Sequence, residues 1–417
     1  MSTSAATRKC LSDKYLTVNS KTLDYVRQHA DEDVRQLALR GCKDPDVELT
    51  VALQQIQGRQ TARQKLPSWA AVDGIQYPPH LNMEQCSSEQ TARYKADLCR
   101  RLLSGSQQTS LYDLTGGFGV DFAWMSEAFD QSTYVERDAQ LFAISSANFA
   151  LLGKKVEKIC ADGIDVLRTI GHATMIFLDP ARRDDHGGRT YGISDCTPDV
   201  LSVRDELLEK ADFIVLKLSP MLDWRKAVSD LGQSHVSEVH IVSVANECKE
   251  LLIVMQQQTP SLTLFCVNDD SVFIVHRPMT PHPLSLISHS SSLISHCLLV
   301  PNASIMKAGC FDELTQLFGI SQIARNSHLF VSDAHVEGFP GRQFVIEAVS
   351  SMGKQELRAH LAGLKQANIA VRNFPLTVAE LRRRLKLSEG GSKYIFATTL
   401  ANGNRVLILC QIKKTGK

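Results

Sequence analysis

Residues 111–122 read LYDLTGGFGVDF. An apolar opening carries Asp113 and then runs into Gly116, Gly117 and Gly119. Glycines at a strand-to-helix turn let the backbone approach a ligand closely, because no Cβ intervenes. They also deliver that ligand to the positive end of a helix. The loop alone leaves several readings open. Gly117-x-Gly119 with Glu136 17 residues on is near the spacing of a dinucleotide site. A tight turn without a ligand is the plainer reading.

The surrounding chain narrows the choice. Its 417 residues are 43% hydrophobic and 22% charged, ordinary for a globular protein of several domains. No apolar run of about 18 residues suggests a membrane span. The opening MSTSAATRKCLSDKYL has no apolar stretch of the secretory type, so a cytoplasmic location is expected. Eleven scattered cysteines without a CxxC pair argue against a disulfide framework or a zinc site. His282, His289 and His296 recur every seven residues, but no acidic residue lies near them and Cys297 is the single cysteine beside them, so no metal is expected.

Residues 1–105 read as an N-terminal helical region, with 65–85 (KLPSWAAVDGIQYPPHLNMEQ) as a loop and 87–103 as a strong helix. From 111, the apolar runs STYVE (132–136), ATMIFLD (173–179), DFIVLKLS (212–219) and EVHIVSV (238–244) alternate with longer mixed stretches. That alternation predicts an α/β domain over 106–280, a mostly parallel sheet with helices on both faces. Residues 261–277 predict a closing hairpin. A connector and small α/β segment takes 281–334, where 302–320 (NASIMKAGCFDELTQLFGI) reads as helical. The remainder, 335–417, alternates strands and helices and ends in a hairpin around Asn402-Gly403.

Three acids give the glycine loop a chemistry. Asp113 stands on the strand before it and can pair with an ammonium group. A nicotinamide cofactor offers none there; S-adenosylmethionine (SAM) does, on its methionine end. Glu136 ends the next strand, where a carboxylate can accept both ribose hydroxyls. Asp162, in Ala161-Asp162-Gly163 after KIC (158–160), can take the adenine amine. Each acid alone also suits a helix cap or a turn.

DLTGGFG, YVE, ADG and LDPARRD follow the order and approximate spacing of motifs I to IV of class I SAM-dependent methyltransferases, which this sequence resembles. Thr115 holds a position often occupied by glycine, as in the similar D-x-T-x-G-x-G loop of several RNA methyltransferases. EQCSSEQTARYKA (84–96), KLSPMLDW (217–224), NECKELL (246–252), FPGRQF (339–344), RNFP (372–375) and YIFATTL (394–400) resemble signatures of one bacterial family. That family joins a methyltransferase domain to a C-terminal THUMP-like domain. The resemblance covers nearly the whole chain. It implies a Rossmann-like methyltransferase sheet with a small C-terminal THUMP-like/ferredoxin-like α/β module, and SAM held by Asp113, Thr115, Gly116, Gly117, Gly119, Glu136 and Asp162. Ser88 and Glu89 join that set, because a Ser/Thr-x-Glu segment contacts SAM in related RNA methyltransferases; N-capping explains the serine equally well.

At the reacting end, Asp179 and Pro180 place a carboxylate and a proline-stiffened carbonyl after the fourth strand. In enzymes that methylate exocyclic base amines, a D/N-P-P-aromatic sequence does this work. Here Ala181 replaces the second proline and Arg182 the aromatic residue. Arg182 can stack on a base or hold a phosphate, or it pairs with Asp184 and Asp185. Tyr191 is a substitute aromatic. Cys196 and Cys248 lack the setting that carbon methylation of pyrimidines requires. Lys217, Ser219 and Asp223 line the expected substrate opening.

Net charge is +1, yet residues 335–417 hold 14 Lys and Arg against 5 Asp and Glu, which leaves 32 against 40 elsewhere. A basic end on a near-neutral protein suits a polyanion. Arg372 and Arg383 are its candidate substrate contacts, with Arg342 and Lys393 beside the aromatics Phe344, Phe374 and Tyr394. The expectation is methyl transfer from SAM to a base nitrogen of rRNA or tRNA. The rival readings are a protein or small-molecule acceptor, and a SAM-binding RNA adaptor with little catalysis.

Overall fold

A computed structural model describes residues 18–182, 192–259, 261–278 and 296–412. The chain divides into two compact units. One runs to Glu238 and takes in the segment that begins at Leu251; the other takes Val239–Glu250 and the chain from Ser261 on. No helix among the described residues is long and apolar enough to cross a membrane.

The first unit opens with helices α1 (Ser20–Gln28), α2 (Val34–Arg40) and α3 (Leu49–Lys65). Asn19 and Asp33 cap α1 and α2 by accepting the N–H of Thr22 and Gln36. The expected loop at 65–85 holds two short helices, α4 (Pro67–Ala70) and α5 (His80–Gln85). Pro67 starts α4 at a position where its missing N–H has no intrahelical partner to lose. Helix α6 (Glu89–Leu102) then leads into the sheet.

Strands β1 (Ser110–Asp113), β2 (Gln131–Glu136), β3 (Glu157–Cys160) and β4 (Ala173–Leu178) are parallel neighbours in the order β3-β2-β1-β4. Helices α7 (Val120–Met125), α8 (Ala139–Leu151) and α9 (Gly163–Thr169) make the crossovers. A two-residue ladder joins β5 (Ala181–Arg182) to β6 (Cys196–Thr197). After α10 (Val200–Lys210), β7 (Ala211–Leu218) pairs parallel with β4, and α11 (Trp224–Leu231) follows. Leu111, Met175–Leu178 and Ile214–Leu216 are all buried. Strands covered on both faces give these near-continuous apolar runs rather than alternation.

Strand β8 is Val236–Val244 and β9 is Glu247–Met255. The Leu251–Met255 part of β9 pairs antiparallel with β7. This strand was not expected from NECKELL. Its inner half is apolar at every position, so neither a period of two nor one of 3.6 marks it.

In the second unit, β10 (Ser261–Asn268) and β11 (Ser271–Pro278) form the expected antiparallel hairpin. Strand β12 (Cys297–Pro301) is followed by the stretch read as helical, which holds two helices, α12 (Ala303–Ala308) and α13 (Phe311–Phe318). Gly309 breaks them apart at φ +64°. A seven-stranded sheet follows in the order β13-β14-β12-β15-β18-β17-β16, where β13 is Ser321–Gln322, β14 Phe330–Ser332, β15 Gly341–Ser351, β16 Asn368–Val371, β17 Lys393–Thr399 and β18 Arg405–Ile412. Helices α14 (Lys354–Leu361) and α15 (Val378–Leu385) belong to it. Strands β17 and β18 are the terminal hairpin, turning through Gly403 at φ +85°.

The glycine loop is packed from behind. A Cβ on Gly116 would stand 2.1 Å from the ring of Tyr134, and one on Gly119 2.4 Å from Phe149. Gly116→Ala should therefore overpack the core and cost about 1–3 kcal/mol, read as a lowered midpoint in thermal or urea denaturation.

Candidate active site

Parallel pairing sets the site. Asp113 lies beside Tyr134 of β2 and Phe177 of β4, so the strand ends that carry Asp113, Glu136 and Asp179 come out at one edge of the sheet. The loop after β1 is held by its neighbours. Gly117 donates its N–H to Glu136 Oε2 at 2.8 Å, and its carbonyl accepts from the hydroxyls of Tyr134 and Ser145. Glu136 Oε1 takes the N–H of Asp138 at 2.7 Å. Asp113 Oδ1 takes the N–H of Thr115 at 3.0 Å. Thr115 Oγ1 in turn accepts the N–H of Asp179 at 2.6 Å. The threonine where glycine is usual therefore bonds the glycine loop to the backbone of Asp179.

Asp179 is held from a second direction. Its Oδ2 lies 2.6 Å from Lys217 Nζ, at the end of β7. Lys217 also lies 3.3 Å from Asp121, in the first turn of α7. Asp121 lies 3.2 Å from Lys95 of α6 and accepts the Ser87 hydroxyl at 2.8 Å. Burial pushes the Asp121 carboxyl up, but Lys95, Lys217 and Ser87 outweigh it and hold the group below its ordinary range. Asp113 goes the other way. Its burial, joined by the charges of Asp121, Asp179 and Glu136, drives its carboxyl well above the usual value against the Thr115 N–H.

The remaining candidates fall in several places. Asp162 is exposed and caps α9, its Oδ1 accepting the Ile164 N–H at 2.9 Å. Ser88 caps α6. Glu89 is buried and occupied by Ser68, through both N–H and hydroxyl, and by Arg93. Pro180 is buried behind Asp179. Ser219 Oγ accepts the Met221 N–H at 3.3 Å, and Asp223 caps α11. The backbone of Arg182 pairs with Cys196; its side chain and Tyr191 lie outside the described residues. In the second unit, Arg383 is exposed on α15, and Arg372 donates its backbone N–H to Ala397. Phe344 is buried against Tyr394 and Phe396. Among the described residues no group of three or more His, Cys, Asp and Glu is arranged to hold a metal.

Sequence reasoning missed Asp121 and Lys95. A lysine in an amphipathic helix reads as solvated. The signal was its position, in the stripe Ala92, Lys95, Ala96 and Cys99 that α6 buries.

A candidate methyltransferase from Porphyromonas gingivalis W83 matches this chain at 30% identity and a TM-score of 0.81, over 99% of this chain and 100% of that one. A THUMP domain-like family profile matches residues 341–411, and a ferredoxin-like domain profile matches residues 298–340. The chain belongs to this family of class I SAM-dependent methyltransferases with a C-terminal THUMP-like domain. An rRNA methylase from Streptococcus thermophilus matches at 14% identity over 40% of this chain and 96% of that one, with a TM-score of 0.31. A candidate RNA methyltransferase from Pyrococcus horikoshii matches at 12% over 47% and 96%, with a TM-score of 0.34. No curated protein matches.

The residues of this methyltransferase fit SAM at the glycine loop. Gly116 and Gly119 are bare because side chains crowd them, whereas a Cβ on Gly117 would meet nothing nearer than the Thr115 carbonyl at 3.8 Å. Gly117, at φ +57°, is the open one. The acids around it, Asp113 above all, form a site that a cation relieves.

Asp113 also gives a pH test. A carboxyl raised by folding keeps a proton that the unfolded chain gives up. Stability is then full below the unfolded value and falls as pH rises through the folded one. Asp113→Asn should remove that loss: ligand-free protein becomes more stable than wild type at pH 8, by urea denaturation, while SAM affinity falls by calorimetry.

Proposed function

We propose that this methyltransferase transfers the methyl group of SAM to a base nitrogen of RNA, of the rRNA or tRNA class. The observation that carries the reading is the double anchorage of Asp179, with its N–H on Thr115 and its carboxylate on Lys217.

SAM supplies an electrophilic methyl group on a cationic sulfur. The chain supplies alignment. Asp113, Gly117 and Glu136 would hold the donor, with Asp162 beside the adenine end. Asp179, whose side chain is 39% exposed, has a carboxylate that accepts hydrogens of the base amine and turns its nitrogen lone pair outward. Thr115 fixes the distance between donor loop and acceptor carboxylate. Such positioning and charge placement can supply several kcal/mol of barrier reduction. Pro180 stiffens the turn behind Asp179.

The choice of RNA draws support from the C-terminal surplus of nine positive charges and from exposed Arg383 with Arg384 on α15. Arg342 lies over Phe344, its guanidinium carbon 5.7 Å from the ring centroid. Backbone phosphates are the natural partner of such a surface, and binding should weaken steeply with salt.

Mass spectrometry of modified nucleosides from cells with and without the protein tests the reading. One methylated base should vanish from rRNA or tRNA in its absence and return with wild type. Asp179→Ala should not restore it, and should slow transfer by the purified protein on the order of 10²-fold. An unchanged profile would overturn the RNA assignment, and full complementation by Asp179→Ala would favour the adaptor.

A further inference from the structure

We propose that Asp121 and Lys95 are positioning residues for methyl transfer, acting on Asp179 through Lys217; the proposal rests on the reading that Asp179 receives the acceptor amine. Four charges of alternating sign run inward from the site. Asp179 is 39% exposed, Lys217 11%, Asp121 10% and Lys95 0%. The contacts are 2.6 Å, 3.3 Å and 3.2 Å in that order. Two positive and two negative groups leave the chain of charges neutral.

Stability does not demand this arrangement. Buried ion pairs lose in desolvation much of what they gain by attraction, and apolar residues of like volume serve as well or better. Lys95 makes the point most sharply, since it occupies the stripe by which α6 packs, between Thr91 and Cys99. Geometry does demand it. Lysine is a flexible point charge on a four-carbon stem, and Asp179 alone would leave Lys217 several rotamers. Asp121 gives the ammonium a second anchor, and Lys95 with Ser87 fixes Asp121.

The four groups come from four places: the turn after β4, the end of β7, the first turn of α7 and the middle of α6. Asp121 follows the glycine loop directly, two residues after Gly119. The same helix turn that opens beside the donor loop therefore sets the lysine that aims the acceptor carboxylate. A shift of about 1 Å at a reacting group can cost on the order of 10²-fold in rate.

The test uses the full chain and the double variant Lys95→Met/Asp121→Asn, which removes one charge of each sign. Four quantities are read: the thermal midpoint, SAM affinity by calorimetry, the transfer rate from methyl-labelled SAM to total RNA of cells lacking the protein, and the crystal structure. The expected result is a midpoint and SAM affinity near wild type, a rate about 10- to 100-fold lower, and Lys217 Nζ moved away from Asp179 Oδ2. A wild-type rate in the folded double variant, or a rate that falls only because the midpoint and SAM affinity fall with it, overturns the proposal. If wild type itself transfers nothing to RNA, the parent reading fails. The crystal structure then decides alone, and an Asp179–Lys217 contact kept in the double variant overturns the positioning role. If the double variant does not fold, Ser87→Ala is read in its place. A several-fold lower kcat at unchanged KM for SAM supports the proposal, and an unchanged kcat overturns it.

Discussion

One residue, Gly117, has both its backbone N–H and its carbonyl tied down. Its N–H goes to Glu136, and its carbonyl takes the hydroxyls of Tyr134 and Ser145. A loop of glycines would otherwise lose more conformational entropy on ordering than any other residue type. The neighbouring strand and helix carry that cost. Tyr134 does two things at once: its ring fills the space that Gly116 leaves, and its hydroxyl holds the next residue. The bare stretch after β1 is therefore rigid before any ligand arrives, which is what a close-approach site requires.

The hold extends to the turn after β4 through Thr115, whose hydroxyl accepts the Asp179 N–H at 2.6 Å. The carboxylate set of the site then splits by environment. Asp113 has burial and like charges around it and one backbone donor, so it is pushed toward the neutral form. Asp121 has two lysines and a serine and remains charged. Two aspartates eight residues apart in the chain thus face opposite electrostatic conditions.

Much of this was legible in the sequence. The parallel strands announced themselves as apolar runs, because burial on both faces selects apolar residues at every position. The glycine loop and the acids at three strand ends could be placed by order alone. The terminal hairpin followed from Asn402-Gly403, where a turn needs positive φ. What stayed hidden depended on tertiary partners. Strand β9 has no alternation to display. The stretch read as helical over 302–320 parts at Gly309, and a lone glycine is tolerated inside a helical pattern often enough not to mark a break. Glu89 is read from sequence toward the cofactor; its contacts with Ser68 and Arg93 could not be read there. The position of Lys95 in the α6 stripe signals burial, but its partner Asp121 is known only once α7 is packed against it.

The threonine in the glycine loop has one more implication. Its hydroxyl takes the Asp179 N–H, so the glycine loop and the turn that carries Asp179 are joined directly. On the proposed reading, a change that alters the grip on one substrate also disturbs the aim at the other. Changes in target preference are then more readily made away from this joint, in the surfaces that present the acceptor.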